Sequence, residues 1–303
     1  MFHHFTDLKH PAGQGAISAE ELRSIIEYIG LENILSAHEW LERVRTHSGL
    51  DGKVCLTFDD ALRCQLDVAL PVLKEFGLSG FWFVYTGHIF DGQLPRLELY
   101  RHFRITQYKD VTDFYADFFK TCIAKYGHCV RDWLTDFDRS KYPNYGPYYS
   151  DEDCCFRELR DQVLTREQYF TLMDELMARH ECNLCEIQEQ VMLSADHIRH
   201  LDLNGQVVGM HSHTHPTVLA ALPTSDQYAE YASNSAAIQR ITGRRPSSLS
   251  HPSNSYNAST LDILRCLGVF LGFRANMDQI YYTTLELPRE DHSTILLETK
   301  TCE

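Results

Sequence analysis

The chain has 303 residues, 44% of them hydrophobic, which is enough for one large α/β domain with its own core or for two smaller ones. Its 28 lysines and arginines against 42 aspartates and glutamates leave a net charge of −14, which argues against nucleic acid as a partner. No stretch approaches the roughly 20 apolar residues that span a bilayer, and the first residues lack the basic region and apolar core of a secretory signal, so a cytoplasmic protein is expected.

In chain order, Ser18-Ala19-Glu20-Glu21 has the spacing of a capping box and starts a helix through about Ile29. Residues 54–58 read as a buried strand that stops in Asp59-Asp60. Leu66, Ala69, Leu70 and Leu73 then recur at helical spacing up to Gly77, with Pro71 a candidate kink. Residues 79–85 are the second buried strand, and strand, helix, strand in this order predicts a parallel sheet.

Between about Phe90 and Val191 that rhythm breaks. Val111, Phe114, Tyr115, Phe118, Phe119, Cys122 and Ile123 follow a helical period, and their aromatic stripe reads as core. Thr165 with Gln168 forms a second capping box, opening a helix to about Arg179. We read 90–191 as a helical insertion in a single domain spanning 1–303. Within it, Tyr145 and Tyr148 lie in a tyrosine-rich loop and are candidates for stacking on sugar rings, against a plain surface loop as the slightly favoured alternative. Cys182 and Cys185 form the only CxxC; without a second pair, ordinary reduced thiols are expected. The α/β rhythm then resumes with helix 194–204, strand 206–211, helix 225–241, strand 247–251, helix 258–266 and strand 269–274. This is the pattern of a (β/α) barrel, whose active residues sit at the C-terminal ends of the strands.

Two of those strand ends carry chemistry. One ends in Thr57-Phe58-Asp59-Asp60, the other runs into His211-Ser212-His213-Thr214-His215-Pro216. Two histidines and one carboxylate make a three-ligand site with an open position, the arrangement a hydrolytic metal needs. Alternation along a strand points Asp59 and Asp60 in different directions, so one can bind metal while the other moves a proton. His211 and His215 share a face if the segment after Met210 turns helical.

TFDD after an apolar strand, followed by HSHTHP, resembles the polysaccharide deacetylase family of carbohydrate esterases. The similarity continues through 193–205, Ile241-Thr242-Gly243 and the loop from Ser250 to Asn257. Leu287-Pro288-Arg289-Glu290-Asp291-His292 and the opening Phe2-His3-His4-Phe5 resemble members from surface-polysaccharide gene clusters. The resemblance implies a distorted (β/α) barrel of the polysaccharide deacetylase type. It implies Asp60, His211 and His215 as ligands of a divalent ion, with zinc the default and nickel or cobalt able to use the same donors. It implies Asp59 as the general base, Ser212 as support for the histidine loop, and the backbone near Ser253 as an oxyanion contact.

The chain departs from the family pattern in two places. The arginine expected two residues before Pro252 is Ser250, and no Leu-x-Leu-His supplies a general acid. Arg289 is the candidate for the missing cation, expected to pair with Asp59 or Asp291. Asp291 and His292 are candidates for proton transfer, with His213 and His251 as rivals; an exposed loop histidine is the equally weighted alternative for His292. The reaction implied is removal of an acetyl or formyl group from an amino sugar, nucleotide-linked or lipid-linked, during surface-polysaccharide synthesis. The alternatives are a sugar O-deacetylase and a carbohydrate-binding or regulatory protein on the same scaffold.

Overall fold

The computed structural model describes residues 1–138, 150–278 and 283–301. The first part of the chain forms α1 (Ala19–Ile29), α2 (Ala37–Arg45), β1 (Thr57–Phe58), α3 (Leu70–Glu75), β2 (Phe81–Val84) and α4 (Gly87–Phe90). Then follow α5 (Arg96–Gln107), α6 (Val111–Tyr126), α7 (His128–Thr135), α8 (Asp151–Glu158), α9 (Arg166–Arg179) and α10 (Leu184–Val191). The last part forms α11 (Ala195–Leu203), β3 (Val207–Met210), α12 (Thr224–Thr242), β4 (Ser248–Ser250), α13 (Ala258–Cys266), β5 (Leu271–Phe273) and α14 (His292–Thr301). The described chain divides into two compact units, one of 1–95 with 189–303, the other of 96–188.

In the first unit the five strands pair in parallel in the order β1-β2-β3-β4-β5, a curled half-barrel of the expected α/β class. The longest register sets Phe81 against Val207 and Val84 against Met210. Isolated parallel bridges extend both edges, Phe2 on Phe58 and Leu287 on Phe273. Side chains alternate across the sheet as a period of two requires. Phe81, Phe83, Leu271 and Phe273 fill one face with Trp40 and Val44. Phe58, Trp82, Val84 and Met210 fill the other, beneath α1, α3, α11 and α12. Gly209 belongs where it is because a Cβ there would lie 2.5 Å from the Phe83 ring.

Both capping boxes form, Ser18 with Glu21 and Thr165 with Gln168. The expected strand at 54–58 is only two residues long: Val54 bridges Ile34 instead and keeps 36% of its exposure. The helix expected from Leu66 to Gly77 starts as a wider π turn, Gln65–Ala69, before α3. Pro71 has no N–H to donate, and the wider turn accommodates the break in the ladder.

The second unit is helical and packs on aromatic residues. Phe103, Phe114, Phe118, Phe156 and Tyr169 are buried, and several of their rings meet edge to face, as Phe118 does with Phe156 at 4.9 Å. The aromatic stripe of α6 therefore serves as core, apart from its first residue, Val111, which is exposed. Tyr145 and Tyr148 lie outside the described residues.

Candidate metal and catalytic site

Three loops leave the C-terminal ends of β1, β3 and β4 and carry the ionisable residues of the sheet. Eight described non-glycine residues have positive φ, and six of them are in these loops: Asp60, Ala61, Ser212, His215, Ser253 and Asn254. A left-handed backbone at such residues is unfavourable and persists only where the surroundings fix it, as at binding and catalytic sites.

The turn at Asp60, φ 78°, separates the two carboxylates. Arg289 holds Asp59 through two parallel bonds, Nη1 to Oδ1 and Nη2 to Oδ2, each 2.8 Å. The guanidinium is itself fixed: its Nε donates to the Arg274 carbonyl at 2.8 Å, and it lies about 6 Å from the rings of Phe83 and Phe273. Ser250 joins the pair, donating to Asp59 Oδ2 at 2.9 Å and accepting from Arg289 Nη2 at 2.7 Å. A short side chain at 250 leaves the room in which Arg289 arrives from another part of the chain. Burial works against the Asp59 charge, but Arg289 and then His211 hold the carboxyl well below the usual carboxylate range.

Asp60 faces the histidines. Its Oδ1 is 3.2 Å from His211 Nε2 and 3.3 Å from His215 Nε2, and the three donor atoms all lie within 4.8 Å of one another. Donors about 2.0–2.1 Å from a tetrahedral zinc are about 3.3 Å apart, so this set suits such an ion. His211 Nδ1 donates to the Ser250 carbonyl at 2.8 Å, which turns the bare Nε2 toward Asp60. Burial opposes charge here too, yet the histidines draw the Asp60 pKa down, and Asp60 and Asp59 raise that of His211.

The histidine loop is not helical, so the i, i+4 spacing does not bring the rings together on a helix face. Left-handed turns at Ser212 and His215 bring the two rings together instead, with centroids 4.8 Å apart. Ser212 Oγ accepts from the His215 N–H. Glu230 of α12 accepts from the N–H groups of His213 and Thr214 and from the Thr214 hydroxyl. Asn234 takes the His211 N–H and donates to the Val84 carbonyl and the Thr86 hydroxyl.

The proposed proton donors are placed differently. His292 is buried rather than in an exposed loop; its ring nitrogens face the carbonyls of Met1 and Gly15, and its ring stacks on Phe2. That is a packing position, away from the exposed loop that was the alternative for this residue. Asp291 accepts from Ser293 at the start of α14, and although burial raises its pKa, Ser293 holds it below the ordinary value. His213 is tied between Thr86 and Asp91. His251 faces the Leu285 carbonyl through Nε2, and burial lowers its pKa to about 4. Ser253 is exposed in the β4 loop with φ 50°.

Three further contributors were not among the expected site residues. His3 Nε2 lies 4.0 Å from Asp60 Oδ2, and burial lowers its pKa despite that carboxylate. Its position follows from Phe2, which pairs with β1, so the FHHF pattern carried the signal without its partner. Glu230 and Asn234 belong to α12 and stand in none of the motifs.

Residues 169–271 match the polysaccharide deacetylase family model, about a third of the chain. No curated protein matches. Among solved structures, the IcaB protein of Ammonifex degensii superposes with a TM-score of 0.57 at 15% identity, covering 99% of this chain and 94% of that one. The Streptococcus pyogenes deacetylase PplD, solved with acetate, gives 0.53 at 15% identity over 98% of this chain and 94% of that one. A de-N-acetylase from Aggregatibacter actinomycetemcomitans gives 0.52 at 13% identity, over 96% and 92%. These likenesses show the fold.

Proposed function

We propose that this member of the polysaccharide deacetylase family is a metal-dependent hydrolase that removes an N-acetyl group from an amino sugar. The observation that carries the reading is a three-donor cluster, Asp60, His211 and His215, beside a second carboxylate clamped by a buried arginine. A mere carbohydrate binder has no use for Asp59 held in this way.

In the proposed reaction Asp60, His211 and His215 would hold one divalent ion, zinc by default, with nickel or cobalt able to use the same set. The ion, when bound, polarises the acyl carbonyl and makes water acidic enough for a weak base to deprotonate. Asp59 is such a base, ionised at any working pH because Arg289 keeps its pKa low. It takes the proton of the attacking water. Arg289 is a positioning residue: it acts through Asp59. The N–H groups near Ser253 steady the oxyanion that forms at the carbonyl. His3 Nε2 lies 4.0 Å from the other oxygen of Asp60, and we assign it the relay that takes up the proton Asp59 removed from water and delivers it to the leaving amine.

The substrate we propose is a nucleotide- or lipid-linked amino sugar, handled in the cytoplasm during surface-polysaccharide assembly. The likeness of PRED and FHHF to gene-cluster members supports that choice. Mass spectrometry of N-acetylated and O-acetylated sugar nucleotides and lipid-linked sugars, incubated with zinc-loaded protein, tests it. Loss of 42 mass units per acetyl, about the mass of ketene, is expected from the N-acetyl compounds. Loss from O-acetyl compounds alone would turn the reading to an esterase, and no loss from any would remove it.

A further inference from the structure

One glutamine of the sheet unit is buried beside apolar side chains. Gln65 keeps 1% of its exposure and opens the π turn Gln65–Ala69, whose Val68 and Ala69 belong to the core. A buried amide is costly unless its hydrogens find acceptors, and an apolar side chain of the same length would carry no such cost. What the amide reaches therefore matters. Its Nε2 donates to two backbone carbonyls, that of Asp59 at 2.5 Å and that of His3 at 2.8 Å.

The first carbonyl belongs to the peptide that joins Asp59 to Asp60, where the chain turns left-handed at φ 78°. The second belongs to the peptide that follows His3. With one hydrogen for each, a single amide group ties the peptide between the two carboxylates to the segment that carries the imidazole. Adjoining residues hold the same segment: Cys64 Sγ accepts from the Phe5 N–H at 3.3 Å, and Asp67 Oδ2 lies 3.1 Å from His10 Nε2. Phe2 and Phe5 anchor it in the core, against the Phe58 ring. Those anchors set where the segment lies; the bond from Gln65 sets how the His3 peptide is turned within it. His3 Nε2 and Asp60 Oδ2 are 4.0 Å apart, too far for a hydrogen bond, so that carboxylate does not hold the ring in place.

We propose that Gln65 is a positioning residue for proton transfer: it fixes His3 relative to Asp59 and Asp60, so that the relay assigned to His3 runs over a constant path. The inference rests on the hydrolase reading above and adds to it a residue that stands in none of its motifs. The competing role is structural alone, a buried amide that satisfies two carbonyls and fastens the first residues to the sheet.

Nuclear magnetic resonance of the zinc-free, full-length protein, labelled in its histidine rings, tests the placement without any turnover. His3→Gln assigns the His3 signals, and His292, whose ring stacks on Phe2, reports whether the segment is still docked. In Gln65→Met, of the same length but without donors, the His3 signals are expected to shift or broaden while those of His292 stay. Should that variant not fold, Gln65→Glu serves, since a carboxylate cannot donate to a carbonyl. Unchanged His3 signals overturn the proposal, and so does movement of both sets, which would make Gln65 a structural fastener. Rates on uridine diphosphate N-acetylglucosamine and on 4-nitrophenyl acetate read the chemical consequence, because an amine leaves only with a proton and a nitrophenolate leaves without one. The ratio of amide to ester hydrolysis should fall by at least about 10-fold in Gln65→Met, and no further when His3→Gln is already present. An unchanged ratio overturns the proposal. No turnover of either compound by wild type would count against the hydrolase reading, and the resonance result alone would then decide the placement of His3.

Discussion

Asp59 and Asp60 are neighbours in sequence with separate surroundings, and their substitutions should separate accordingly. Asp59→Asn is expected to keep the ion and lose turnover by about 10²–10⁴-fold, the weight of a general base. Asp60→Asn should lose zinc affinity as well; zinc analysis beside kinetics distinguishes them, and full turnover with full zinc in both variants would sink the division of labour. Arg289 makes a sharper case. Its two bonds to Asp59 require a planar fork, so Arg289→Lys can keep the charge but not the geometry. Turnover should fall by about 10-fold or more with KM little changed, and the acid limb of the pH profile should rise as Asp59 regains basicity. Wild-type kinetics in a folded Arg289→Lys protein would leave Arg289 a purely structural role. At this scale the sequence was partly readable. Arg289 sits in a motif, and the lack of an arginine at Ser250 created the demand for a cation. His292 stood in the same motif, but nothing in the sequence says that its ring would be taken up by Phe2 and two carbonyls.

Elements position these residues through contacts with little local signal. Glu230, midway along α12, fixes the histidine loop from outside through three accepted bonds. Glu230→Gln has one acceptor oxygen in place of two and should weaken zinc binding by about 10-fold, measured by competition with a chelating dye. Unchanged affinity would show that the loop holds its shape unaided. The strand-end frame also contains a buried neutral imidazole. His88 of α4 bonds the Leu193 carbonyl, and burial lowers its pKa from 6.5 to about 4. Because the folded value is the lower one, the unfolded chain binds the proton first. Stability is therefore full above pH 6.5 and declines as pH falls toward 4, by up to about 3 kcal/mol for this group. His88→Gln, whose amide can still reach Leu193, should lose less stability between pH 7 and 4.5 in urea titrations; an equal loss would exclude His88 as a source. The helix starts were legible because a capping box is written within four residues. The histidine loop was not, since the spacing of His211 and His215 suits a helix and a pair of left-handed turns alike.

For the molecule as a whole, an ion that binds only the folded form stabilises it by mass action, about 2.7 kcal/mol at 100 times Kd. Added zinc should raise the melting temperature by on the order of 5 °C, and His211→Ala should abolish that rise. An equal rise in the variant would mean that zinc binds elsewhere. The half-barrel itself was legible, because alternating strand and helix patterns on either side of 90–191 allow few other arrangements. Which ends meet across the sheet was not, since that depends on the bridges made by Phe2 and Leu287 at its two edges. Those bridges bear on how the protein is made. The Asp59–Arg289 clamp joins positions 230 residues apart. Contacts of such separation form late, after the local helices and the neighbouring strands have condensed. A nascent chain emerging from the ribosome thus holds its aspartate without its arginine until the 230-residue stretch that separates them has been made, and the clamp cannot close before then.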